Sequence, residues 1–328
     1  MTNLEGPRAR RAGTAEGHLH GRSISGTVKT SRPALAGVCM AVTGLLLIAP
    51  IPAFASDGAA TAATPRGPRG DIRPRGVSAA FTQIYDSNSE KVNTAKTPYD
   101  RLDILYVAFA HIDKKTKKLD FESVGGAPKS REAARLNRIL ALTSKLRAQG
   151  KLKVVISLGY GDTLNDIPLI EANLAVFAPS VASFVRQHHL DGFDIDYETP
   201  RFSSNAQFRR VSTAIRAALG PRYLFTITPN NTEALDGPTL SKNFNYVNVQ
   251  SYRAPGNMPC PITNFTRMKG LITRKITAGA DVANSTPEPI TNATGDYLRY
   301  RIGGVFAWQI TPNFAPIANR MWAVTHLR

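Results

Sequence analysis

The chain has 328 residues, 42% of them hydrophobic, with a formal charge of +17 and two cysteines. That length supplies a large core, and the two cysteines exclude a disulfide-stapled miniprotein. The basic excess suits adsorption to anionic walls or polymers, but the chain carries no finger, RNA-binding signature or basic–aromatic run, so nucleic acid is not an expected partner.

Residues 1–33 are basic and polar, and Ala34 to Ile51 is apolar and nearly uncharged. Ala53-Phe54-Ala55 then provides the small-x-small pattern of a signal peptidase site, so residues 1–55 are expected to be a signal peptide cleaved after Ala55, with Val28 an alternative start. A retained membrane helix is disfavoured because Pro50 and Pro52 interrupt the apolar run. The expectation is a secreted protein of bacterial type, without membrane attachment after cleavage. Residues 1–55 hold six Lys/Arg and two Glu, leaving +13 on the remainder, where Cys260 is the one cysteine. No disulfide can form within such a chain, and a monomer is expected.

Residues 56–77 are rich in Ala, Pro, Gly and Arg without apolar periodicity and predict a linker. From Ser78 onward, strand-like runs alternate with helical ones. The predicted strands are 78–85, 102–110, 151–161, 190–200, 223–229, 245–252, 275–282 and 302–310. Helices are predicted at 129–149 (ending at Gly150), 171–189, 203–219 (ending at Gly220-Pro221) and 314–326. Eight strands alternating with helices over about 250 residues predict a (β/α)8 TIM barrel spanning 78–328; a doubly wound sheet is the alternative, without a Gly-rich phosphate loop to support it. The 42 residues from Ala283 to Val324 leave no room for a large insertion domain.

The most informative stretch is Leu190 to Pro200, LDGFDIDYETP. On a strand, Asp194, Asp196 and Glu198 point one way, at intervals of roughly 6–7 Å, while Phe193, Ile195 and Tyr197 point the other. Like charges in a poorly solvated place push each other's pKa upward, so such a column is expected to share protons, as general acids near neutral pH require. Asp191 precedes Gly192 at the strand's start and reads as structural. His188 and His189 read as helix-end residues, favoured where a helix C-terminus attracts cations, and Cys260 as an incidental thiol. In a barrel, functional residues gather at the C-terminal ends of the strands, where Glu198, Tyr252 and Trp308 all fall.

DGFDIDYE resembles the D-x-x-D-x-D-x-E motif of the family 18 glycoside hydrolases, the chitinases and endo-β-N-acetylglucosaminidases. SLGYG (157–161) is similar to that family's S-x-G-G turn, VQSY (249–252) to its strand-six Q-x-Y, and GGVFAWQI places Trp308 where the family has a strand-eight tryptophan. The resemblance implies retaining, substrate-assisted hydrolysis of β-1,4-linked N-acetylglucosamine in a polysaccharide or glycan, without metal or cofactor. Glu198 is then the general acid, Asp196 holds the substrate's acetamido N–H, Asp194 shares a proton with Asp196, and Tyr252 aligns the acetamido oxygen. Trp308 forms the floor of the site, Gln250 a polar contact, and Ser157 a partner for Asp194 within the substrate-binding set. Tyr160 departs from the motif's second glycine and is expected to line the cleft. With Trp308 and Trp322 as its two tryptophans, the chain predicts a shallow, endo-acting cleft. A non-catalytic glycan-binding protein on the same barrel is the competing reading; such relatives typically lose the acid, which is present here.

Overall fold

The computed structural model describes residues 75–121, 129–159, 166–198, 202–252, 261–283 and 288–326. Within them, eight parallel strands close into a barrel: β1 (Val77–Gln83), β2 (Ile104–Ile112), β4 (Lys153–Leu158), β5 (Gly192–Tyr197), β6 (Leu224–Pro229), β7 (Tyr246–Val249), β8 (Ile276–Asp281) and β9 (Gly304–Trp308). β1 pairs with β2 on one side and β9 on the other, which closes the ring and leaves the barrel without an edge. The expected (β/α)8 barrel is the observed fold.

The sequence reading missed β3 (Leu119–Asp120), a two-residue strand that pairs antiparallel with the end of β2 as a short hairpin. No apolar alternation that short can be told from a loop. The long helix expected over 171–189 is two helices, α3 (Asp166–Ala172) and α4 (Leu174–Gln187), bent by 111° at Asn173. The Asn173 side chain donates to the Leu169 carbonyl at 2.8 Å, satisfying a helix-end acceptor as its backbone leaves helical geometry. Other boundaries shift by a few residues. α5 (Asn205–Leu219) starts after Ser204, whose hydroxyl accepts from Gln207 N, and ends at Gly220 with φ +74°.

Two apolar layers hold this arrangement. Outward-facing strand residues such as Phe193, Ile195, Phe225 and Ile227 are fully buried against Phe177, Val181, Phe208 and Ile215 of the surrounding helices. Inside the barrel, Ala79, Phe81, Ile104, Tyr106, Val155 and Phe306 form a second cluster, with Phe81 stacked on Tyr106 at 4.6 Å. Above this apolar plug, the interior turns polar toward the C-terminal ends of the strands. Ser157, Asp194, Thr226, Thr228, Asn248 and Thr277 are all buried there.

Candidate active site

β5 delivers the three carboxylates in a graded series. Asp194 is fully buried, Asp196 is partly buried, and Glu198, just past the end of the strand, is exposed. The register sets Asp194 beside Ser157 of β4 and Thr226 of β6, and Asp196 beside Thr228. Side chains of paired residues in parallel strands point the same way, so these hydroxyls are aimed at the carboxylates.

Asp194 accepts hydrogen bonds from Ser157 Oγ at 2.7 Å, Thr226 Oγ1 at 2.5 Å, and Thr228 Oγ1 at 3.1 and 3.0 Å to its two oxygens. Burial pushes its pKa up to about 6, and the three hydroxyl bonds hold it from rising further. Asp196 accepts from Gln250 Nε2 at 2.8 Å, and Gln250 also donates to the Thr228 carbonyl at 3.0 Å. Burial raises Asp196 well above the usual carboxylate range, followed by the charges of Glu198 and Asp194. The coupling along β5 is therefore through charge: among the described residues, no hydrogen bond joins Asp194 to Asp196. Each carboxyl group has its own partners, three hydroxyls for Asp194 and an amide for Asp196.

Asp196, Glu198, Gln250, Tyr252 and Trp308 line one cavity of about 170 Å³, together with Phe81, Phe109 and Thr228. Gln250 and Tyr252 lie just beyond the end of β7. Tyr252 packs edge-on against Phe306 with centroids 6.2 Å apart, and burial raises its hydroxyl pKa, so it stays a proton donor. Gly279 makes room for it, since a methyl group there would lie 2.9 Å from the Tyr252 ring. Trp308, at the end of β9, is flanked by Phe81 at 5.5 Å and Phe109 at 5.8 Å. The peptide bonds Ala108–Phe109 and Trp308–Gln309 are both cis.

Ser157 is completely buried beneath the site, so within the substrate-binding set it serves as a support for Asp194 and not as a contact. Tyr160 lies outside the described residues. Asp191 sits at the opposite, N-terminal end of β5, where it accepts from Val154 N at 2.9 Å and pairs with Arg147 and Lys153. Sequence reasoning missed Phe81, Phe109, Thr226, Thr228 and Asn248. The alternation T-x-T over 226–228 and N-x-Q-x-Y over 248–252 has the same period of two as the carboxylates and would have marked the polar interior faces of β6 and β7.

The model of Glycosyl hydrolases family 18 matches residues 81–287, more than half of the chain. Chitinase 1 of Aphanocladium album is 27% identical over 191 residues, which cover 53% of this chain and 42% of that protein, so the chain spans about two fifths of that relative's length. In fold, the chain is similar to a chitinase from Cycas revoluta, solved in complex with (GlcNAc)3, with a TM-score of 0.63 at 15% identity over 76% of this chain and 100% of that one. It is likewise similar to the chitinase-like agglutinin RobpsCRA from Robinia pseudoacacia, with a TM-score of 0.60 at 16% identity over 75% and 99% of the two chains. The family match takes in every strand that supplies a carboxylate or one of its partners, and with it the chain belongs to the glycosyl hydrolases of family 18.

Proposed function

We propose that the protein is a secreted, endo-acting, chitinase-like hydrolase that cleaves β-1,4 bonds between N-acetylglucosamine units with retention. The observation that carries this reading is the convergence on one cavity of two carboxylates, an amide, a phenol and an indole, several with their polar groups unspent. Asp196 Oδ1 is held by Gln250, while the Glu198 carboxylate and the Tyr252 hydroxyl make no hydrogen bond among the described residues. Such groups are placed to act on a ligand.

In the mechanism, Glu198 gives its proton to the glycosidic oxygen as the bond from the anomeric carbon breaks. The substrate's acetamido oxygen closes onto that carbon, forming an oxazolinium ion and leaving Glu198 as carboxylate. The positive charge on the acetamido nitrogen falls to Asp196, which accepts its N–H. Tyr252 donates to the acetamido oxygen and aligns it, and Trp308 supports the sugar ring from below. Water then adds at the anomeric carbon, Glu198 takes up its proton, and the ring opens with overall retention. Trp308 lies beyond the family match, and its role rests on its position in the cavity.

Secretion rests on the N-terminal pattern ending at Ala55, and N-terminal sequencing of protein from the culture medium tests it. For activity, the test is product analysis on chitooligosaccharides beside a high-mannose glycopeptide, with Glu198→Gln as the control. Mixed-length chitooligosaccharides from the unaltered protein and none from Glu198→Gln are expected. Cleavage of the glycopeptide alone would make it an endo-β-N-acetylglucosaminidase. Binding without cleavage would make it a lectin, a reading that the fold's similarity to an agglutinin brings in and the presence of Glu198 opposes.

A further inference from the structure

Asn248 touches no catalytic carboxylate, yet it is the centre of a chain of hydrogen bonds that crosses the barrel interior. Thr277 Oγ1 of β8 donates to Asn248 Oδ1 at 2.8 Å, and the Tyr106 hydroxyl of β2 lies 3.5 Å from the same oxygen. On its other side, Asn248 Nδ2 donates to Thr228 Oγ1 at 3.1 Å. Thr228 Oγ1 in turn lies 3.1 and 3.0 Å from the two oxygens of Asp194. All of these residues are buried.

A carboxamide has a donor end and an acceptor end that cannot be exchanged by moving a proton. Two hydroxyls converge on Oδ1, so Nδ2 is turned toward Thr228. With its oxygen already accepting from Asn248, the Thr228 hydroxyl has its hydrogen left for Asp194. We propose that Asn248 is a positioning residue: its amide sets the direction of the chain Thr277–Asn248–Thr228–Asp194, so that Thr228 always presents a donor to Asp194. This rests on the function proposed above for its catalytic consequence, but not for its geometry.

The consequence is electrostatic. Asp194 sits where burial favours its neutral form, and three hydroxyl donors oppose that. Losing one donor moves its proton affinity upward. The titratable groups facing it are Asp196 on its own strand and Glu198 farther along, Tyr106 from β2 and Tyr252 from β7, with Asp281 of β8 facing Tyr252 in turn. Because Asp194 and Asp196 are coupled through charge, the proton held by Asp194 sets the pH at which the pair reaches its working, singly charged state.

Two substitutions test the direction of the chain. In Asn248→Asp the new side chain, when ionised, can only accept, so it draws the Thr228 hydrogen away from Asp194 and adds its own charge. Thr277→Val changes no charge, keeps the shape and touches no carboxylate; it removes the nearer of the two donors that fix the amide and leaves only the long 3.5 Å contact from Tyr106, so the amide can turn its oxygen to Thr228. The readout is the titration of the Asp194 carboxyl carbon by NMR, which needs no substrate, followed by the acid limb of kcat/KM on chitooligosaccharides. We expect the Asp194 midpoint to rise by about one unit in Asn248→Asp and by about half a unit in Thr277→Val, with the acid limb moving the same way. If Asn248→Asp fails to fold, Thr277→Val decides alone. An unmoved midpoint in Thr277→Val overturns the inference, even if activity falls at every pH as a packing defect would cause. If the unaltered protein cleaved no glycan at all, the proposed function would fail while the titration would still decide this inference.

Discussion

Gly159 and Asp196 meet across neighbouring strands with no space for a side chain between them. A methyl group at Gly159 would lie 2.5 Å from Asp196 Cβ, 2.9 Å from Asp196 Oδ2 and 3.0 Å from the Phe109 ring. The glycine that follows β4 thus sets where the middle carboxylate can stand. Gly159→Ala is expected to displace Asp196 and the Phe109 wall together, lowering kcat by about 10²-fold. The overpacking should cost about 1–3 kcal/mol of stability. Steady-state kinetics beside a urea melt checks this; full activity in the variant would show that Asp196 has freedom the packing denies it.

Gln250 holds Asp196 with a hydrogen bond to its Oδ1. Gln250→Leu removes that donor from both Asp196 and the Thr228 carbonyl, so kcat/KM should fall about 10–100-fold, in line with the cost of leaving a buried polar group without its donor. Gln250→Glu should lose more, because it replaces the donor with a third carboxyl group beside Asp196 and Glu198. A pH-resolved kinetic comparison of the two variants checks the order.

Asp194 makes stability depend on pH in an unusual direction. Burial lifts its folded-state pKa to about 6, against roughly 3.9 in an unfolded chain. Between those values the folded protein holds a proton that the unfolded chain has released. Its stabilising contribution is therefore complete below about pH 4 and is lost as the pH rises to 6, by on the order of 3 kcal/mol. Thermal melts from pH 4 to 6.5 should fall more steeply for the unaltered protein than for Asp194→Asn. Parallel curves would remove Asp194 as the source.

Asp191, only three residues before Asp194, should behave differently. It caps the base of β4 through Val154 N and faces Arg147 and Lys153, far from the cavity. Asp191→Ala leaves a backbone donor without its partner and should cost about 1–3 kcal/mol. At temperatures well below the melt, kcat should be unchanged; a loss of kcat matching that of Asp196→Ala would contradict this division of labour.

The amino-acid sequence by itself determined the barrel, the strand that carries the acids and the outward order of Asp194, Asp196 and Glu198. Those features depend on local periodicity, since a period of two puts alternate residues on one face whatever surrounds them. It also marked Tyr252, Gln250 and Trp308 through short motifs at strand ends. The break at Asn173 escaped because both α3 and α4 carry helical periodicity, and the break between them depends on where each packs. The partners of the carboxylates were decided by tertiary structure alone. Ser157, Thr226, Thr228 and Gln250 are 30 to 60 residues from the acids they hold, and only the register of β4 and β6 against β5, and of β7 against β6, brings them there. A threonine in a strand carries no mark of whether it faces a helix or a buried aspartate. Closing the ring determines that, because one rotation of the register sets every inward face at once.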